Sequence, residues 1–175
     1  WFGHPLEPLM ESTIRDLLMD RFDPKKAARD AEMQAKLAPL LNDFNFAVQR
    51  GDWARCLSLT EQMLAIDPAN FDAMRFNVYI FMEEQRSEEN LKSWVQQMMG
   101  KHGGNAKTMA ILSSLMLAMP ELTDRQPELA IEAANLSLAS ESKSSDSLQM
   151  VAQTFYQLGL VEGAIEAQKQ AVAVA

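Results

Sequence analysis

A helix-turn-helix pattern that returns about every 34 residues constrains this chain more than any other feature. One copy runs from Gly51-Asp52-Trp53-Ala54-Arg55-Cys56-Leu57 to Asp67-Pro68, and another opens at Gly159-Leu160-Val161-Glu162-Gly163-Ala164-Ile165. Both set a glycine, a bulky side chain, a small residue and an aliphatic one at the same offsets, and upstream Leu40, Phe44 and Ala47 correspond to Leu148, Ala152 and Phe155. Between them, Asn90 stands 34 residues after Cys56, preceded by Met74, Val78 and Phe81 and followed by Trp94, with Gln85 in place of the turn glycine. Ala130 lies 40 residues after Asn90 and Ala164 a further 34 on, which places an insertion of about six residues around Pro120 to Gln126. A unit this short cannot bury its apolar face alone, so the copies are expected to stack as about four helix pairs in an all-α fold. Small residues at Cys56, Ala130 and Ala164 let paired helices approach, while Trp53, Leu57, Phe81, Phe155 and Ile165 are expected to fill the space between neighbouring pairs. Asp67-Pro68 stops a helix, because proline cannot continue it.

The period, the large-small alternation, the turn glycine and the closing Asp-Pro together resemble the tetratricopeptide repeat, most closely in the first and fourth copies. The resemblance implies a short right-handed superhelix whose concave face, lined by the first helix of each pair, takes a protein or peptide. On that register the inward positions are Leu41, Asn45, Val48 and Gln49 in the first copy and Arg75, Tyr79 and Met82 in the second. Met109, Ser113 and Met116 follow in the third, then Gln149, Gln153 and Tyr156 in the fourth. We take Asn45, Gln49, Arg75, Tyr79, Met82, Gln149, Gln153 and Tyr156 as the candidate groove; core packing is the competing reading for Val48, Met109 and Met116. Tetratricopeptide domains that grip a terminal carboxylate converge several Lys, Arg and Asn side chains there. Only Asn45 and Arg75 qualify here, and Leu41 stands where a lysine is needed, so a clamp of that kind is not expected.

The first residues read differently. Trp1-Phe2-Gly3-His4-Pro5, followed by Leu6 and an amphipathic segment carrying Met10, Ile14, Leu17 and Leu18, resembles the closing strand and helix of thioredoxin-like redoxins. That resemblance covers about 22 residues and implies that residues 1–22 are the tail of an upstream thioredoxin-like domain holding the Cys-x-x-Cys, since this chain has one cysteine. Starting at Trp1 without an initiator Met or a basic apolar leader, the chain reads as cut from a longer protein, which leaves a cytoplasmic and a periplasmic setting equally open. Asp23-Pro24 marks a helix start, and residues 23–38, rich in Lys, Ala, Arg, Glu and Gln, are expected to form a connecting helix that Pro39 interrupts. Residues 39–175 then form the repeat domain.

Composition narrows the chemistry. The 175 residues carry 16 Lys and Arg against 24 Asp and Glu, a net charge of −8, which argues against a nucleic-acid partner. Residues 1–50 hold eight acids and seven bases, 51–105 eight and five, and 106–175 eight and four, so a charged partner is expected to be basic and to favour the C-terminal half. No run of about 20 apolar residues is present to span a membrane. His4 and His102 stand far apart without neighbouring ligands at metal spacing, and no cofactor is expected. The Gly-rich stretch Met99–Thr108 ends in Lys-Thr but has Lys101 and Ala106 where a phosphate loop needs glycine, and it reads as a helix end and loop with Asn105 or a neighbour capping the next helix. Cys56 reads as an inert packing residue. The expected function is a non-catalytic interaction or scaffold module. Self-association or bracing of the upstream domain is the alternative, and an enzyme with an unrecognised site comes third.

Overall fold

The computed structural model describes residues 23–85, 87–118 and 126–174, all in helices and the turns between them. The expectations for residues 1–22, and for the inserted loop as far as residue 125, lie outside these ranges. The fold is all-α. In chain order the helices are α1 (Pro24–Gln49), α2 (Trp53–Ile66), α3 (Phe71–Tyr79), α4 (Glu88–His102), α5 (Ala106–Ala118), α6 (Pro127–Ala139), α7 (Ser145–Gln157) and α8 (Val161–Ala173). Two compact units meet at Pro39–Leu40, inside α1.

The expected interruption at Pro39 does not occur, since α1 passes through it. Proline removes the hydrogen bond to the carbonyl four residues back. Here that residue is Ala35, exposed like Pro39 itself, so water can take the freed carbonyl. Helix starts follow local chemistry. The Asp23 carboxylate accepts from the Lys25 and Lys26 amides at 2.9 and 3.2 Å, and Asp52 and Asn70 each accept at 3.0 Å from the amide three residues on. Ser144 and Ser147 form a reciprocal cap on α7. Helix α2 ends at Ile66, before Asp67-Pro68.

Three of the turns within pairs are described, and they bear on the spacing. At Gly51 and Gly159 the backbone is left-handed, with φ of 65° and 76°. An L side chain there costs about 1–2 kcal/mol. The corners close alike, the Asp52 amide on the Ala47 carbonyl at 3.0 Å and the Leu160 amide on the Phe155 carbonyl at 2.8 Å. The second pair has Gln85 instead, at φ −89°. There α3 widens into a π-helical turn over Ile80–Glu84, and the Ser87 amide reaches the Phe81 carbonyl at 2.8 Å, across one more residue than at the other two corners. A π turn holds one extra residue in a helix. The expected equivalence of Asn90 with Cys56 is therefore off by one. Asn90 is exposed, while Leu91, fourth in α4 as Cys56, Ala130 and Ala164 are fourth in theirs, is fully buried. The true steps between these four are 35, 39 and 34 residues.

Within the second unit α3 packs on α2 and α5, α4 on α5 and α6, α7 on α5 and α6, and α8 on α7. Helix α5 is the hub, with Met109, Leu112, Leu115 and Met116 all essentially inaccessible. Phe81 and Trp94 meet at 6.1 Å between ring centroids across the second pair. Buried polar side chains pair between helices: the Thr60 hydroxyl meets the Asn77 amide, and the Ser113 and Thr154 hydroxyls lie 3.2 Å apart. Ile165, expected to fill space between pairs, is instead 51% exposed, because no described helix packs beyond α8.

Candidate functional site

Apart from Met82, the candidate residues of the first two pairs lie on outward positions of α1 and α3. These helices touch through Phe44 and Phe76, whose ring centroids are 4.7 Å apart. Phe44 precedes Asn45, and Phe76 follows Arg75. Asn45, Gln49, Arg75 and Tyr79 are all exposed, Tyr79 by 40%. The Arg75 guanidinium sits 5.2 Å from the centre of the Phe76 ring, with one nitrogen 3.6 Å from an Asp72 carboxylate oxygen. Both contacts steady a long side chain whose charge still faces solvent. The Tyr79 hydroxyl donates to Glu84 at 3.2 Å, tying α3 to the far end of the π turn. Met82 is half-buried within that turn.

In α7, Gln149, Gln153 and Tyr156 are exposed, Tyr156 by 72%, and the Gln149 amide donates to the Ser145 hydroxyl at 3.3 Å. In the third pair the core-packing reading holds for Met109 and Met116, and Ser113 joins them. Met109, Ser113 and Met116 are fully buried and line no open surface, and the Ser113 hydroxyl also donates to the Ala110 carbonyl at 2.8 Å. Helix α5 is covered by neighbours on several sides, and the extra residue also shifts its register. Counted from helix starts, the α5 positions equivalent to Arg75, Tyr79 and Met82 are Ala110, Ser114 and Leu117, each one residue later than the sequence register placed them. Of these only Ser114 reaches the surface, half-buried, its hydroxyl bonded to the Ile111 carbonyl at 2.9 Å. The candidates therefore form one patch on α1 and α3 and another on α7, with a largely apolar α5 between. The signal that would have located Ser114 is the missing glycine at Gln85, which marks a differently built corner.

The remaining chemistry-bearing side chains are held in plain packing roles. Cys56 is fully buried, and burial, with the nearby Asp52 charge adding to it, pushes its thiol above the ordinary range, away from the reactive thiolate. His102, half-buried beside Trp94 and Lys101 in a shallow cleft of about 170 Å³, is held below its ordinary value by desolvation and then by the Lys101 charge. The Asn105 side chain caps α5 through the Thr108 amide at 3.1 Å, as its sequence context predicts. Among the described residues no three His, Cys, Asp or Glu side chains gather to hold a metal ion, and no helix is long and apolar enough to cross a membrane. No protein-family model matches this chain, and no curated protein is significantly similar to it.

Proposed function

We propose that this chain is a non-catalytic interaction module of tetratricopeptide type, attached behind a thioredoxin-like domain, that holds a protein or peptide partner along the first helices of its pairs. The observation that carries this reading is the exposed set Asn45, Gln49, Arg75 and Tyr79 on α1 and α3, where an arginine steadied by Phe76 and Asp72 stands one turn from a tyrosine. Arg and Tyr dominate binding at protein interfaces because they bring contact area and directional hydrogen bonds together. Amide side chains beside them satisfy a peptide backbone, and the half-buried thioether of Met82 adapts to varied apolar shapes. The link to a redoxin rests on the Trp1–Pro5 segment, and in such a protein this module would hold the redox domain near its substrate.

Selection of peptides from a displayed library, followed by affinity measurement, tests the reading. The double variant Arg75→Ala/Tyr79→Ala is expected to bind the selected peptides about tenfold or more weakly with unchanged helicity. Gln153→Ala/Tyr156→Ala reports whether the α7 patch takes part in the same contact. Equal affinity of the Arg75/Tyr79 variant and the unaltered chain, or a library that yields no binder, removes the proposal.

A further inference from the structure

The last helix carries a second surface that the groove does not use. Val161, Ile165 and Val172 are 52, 51 and 71% exposed, unusual for three large aliphatic side chains on one short helix. At 100° per residue they fall within one narrow stripe, with Gln168 at its edge, spaced four, three and four residues apart as the seam of a two-stranded coiled coil is. Ile165, Gln168, Lys169 and Val172 line one shallow concavity of about 370 Å³. Beyond Val161 the apolar surface continues into a groove of about 560 Å³ that includes Leu160 and Ile131. The adjoining side of α8, about a quarter turn from the stripe, is committed to the core through Ala164, Ala167 and Ala171.

We infer that this stripe is a homodimer interface, in which α8 of one chain packs antiparallel on α8 of a second copy. The flanking charges select that occupant and that direction. Glu162 and Lys169 are exposed on one flank of the seam, whereas the other flank, at Ala164 and Ala171, is already packed against the chain's own core. About a twofold axis between Glu166 and Ala167, Val161 packs against Val172 of the second copy and Ile165 against its Gln168. In that arrangement each Glu162 stands beside the second copy's Lys169, giving two symmetric ion pairs. A parallel pairing turns each of these charges toward the core-packed flank of the second copy, where no described side chain of α8 is charged. The stripe is thus self-complementary in shape and sign, as an isologous interface requires, and Gln168 is its one polar intrusion. This goes beyond the peptide-binding reading and uses a different face, so either stands if the other fails.

Sedimentation equilibrium of the 175-residue chain over a wide concentration range, with circular dichroism as a check on folding, tests it. A dimer is expected. Ile165→Glu, a substitution at a half-exposed position, should weaken it about tenfold or more, and Gln168→Leu should tighten it. Glu162→Lys alone should weaken the dimer, and Glu162→Lys with Lys169→Glu should restore it. The double reversal separates the antiparallel pairing from non-specific apolar association. A chain that stays monomeric at every concentration overturns the inference. A dimer indifferent to Ile165→Glu, or one that the double reversal does not rescue, overturns it as well.

Discussion

Single residues settle how this chain turns its corners and where it responds to acid. Gly159 holds φ of 76° with open space around the position a Cβ would take, so Gly159→Ala tests backbone conformation without a clash. Destabilisation of about 1 kcal/mol is expected, read from urea midpoints. His102 gives a second test. Desolvation holds its folded value below the ordinary 6.5, so the folded chain favours the neutral ring. As pH falls below about 6.5 the unfolded chain takes up the proton first, and stability declines until the folded value is passed, then levels. His102→Gln should remove that decline from a series of urea midpoints between neutral and mildly acid pH. The step should be small, because the ring is only half-buried.

Whole helices test the register. Ala130 is fully buried where α6 meets α5, so Ala130→Trp should destabilise by about 1–3 kcal/mol through overpacking. Asn90, which the 34-residue count aligns with it, is exposed, and Asn90→Trp should stay within about 0.5 kcal/mol of the unaltered chain. Leu91→Ala should instead cost about 2–5 kcal/mol. Thermal or urea unfolding of the three variants distinguishes the two registers, and a severe loss at Asn90 with none at Leu91 would reverse the assignment. The helices themselves were legible from their repeating apolar spacing, from Asp23-Pro24 at one start, and from stops at glycine or Asp-Pro such as Ile66 before Asp67-Pro68, all local chemistry. The slip at Asn90 was not legible, because a π turn has no fixed residue signature. A count of residues also assumes that every turn of helix holds the same number. Pro39 misled for the complementary reason, since whether proline ends a helix depends on whether water reaches the freed carbonyl, which the sequence does not state.

At the scale of the whole molecule, the charge balance bears on the proposed peptide partner. Bases thin out along the chain while acids stay level, leaving eight acids against four bases in residues 106–175. A basic peptide bound there should lose affinity as salt rises from low to physiological concentration, mostly through slower association. Surface plasmon resonance at several ionic strengths measures this, and a salt-independent association rate would place the contact on the apolar and amide groups instead. Of the candidate groove, sequence reasoning located the exposed members on α1, α3 and α7, because surface positions in a regular helix follow from period alone. On α5 it left core and groove both open for Met109 and Met116, because burial there is set by helices on several sides and no single-helix pattern records how many neighbours there are.

The π turn at Ile80–Glu84 also bears on how such a chain can change length. An insertion between helices is absorbed by a loop and leaves every packed face in place, as the longer connection before α6 does. An insertion inside a helix ordinarily rotates everything downstream by about 100°. Here the extra residue is taken up within five positions, and Leu91, Trp94 and Val95 still arrive on the core side of α4. The extra residue at this point therefore leaves the packing of α4 in place. Deleting a single residue from Ile80–Glu84, together with Gln85→Gly, would convert the second pair to the corner used by the first and fourth.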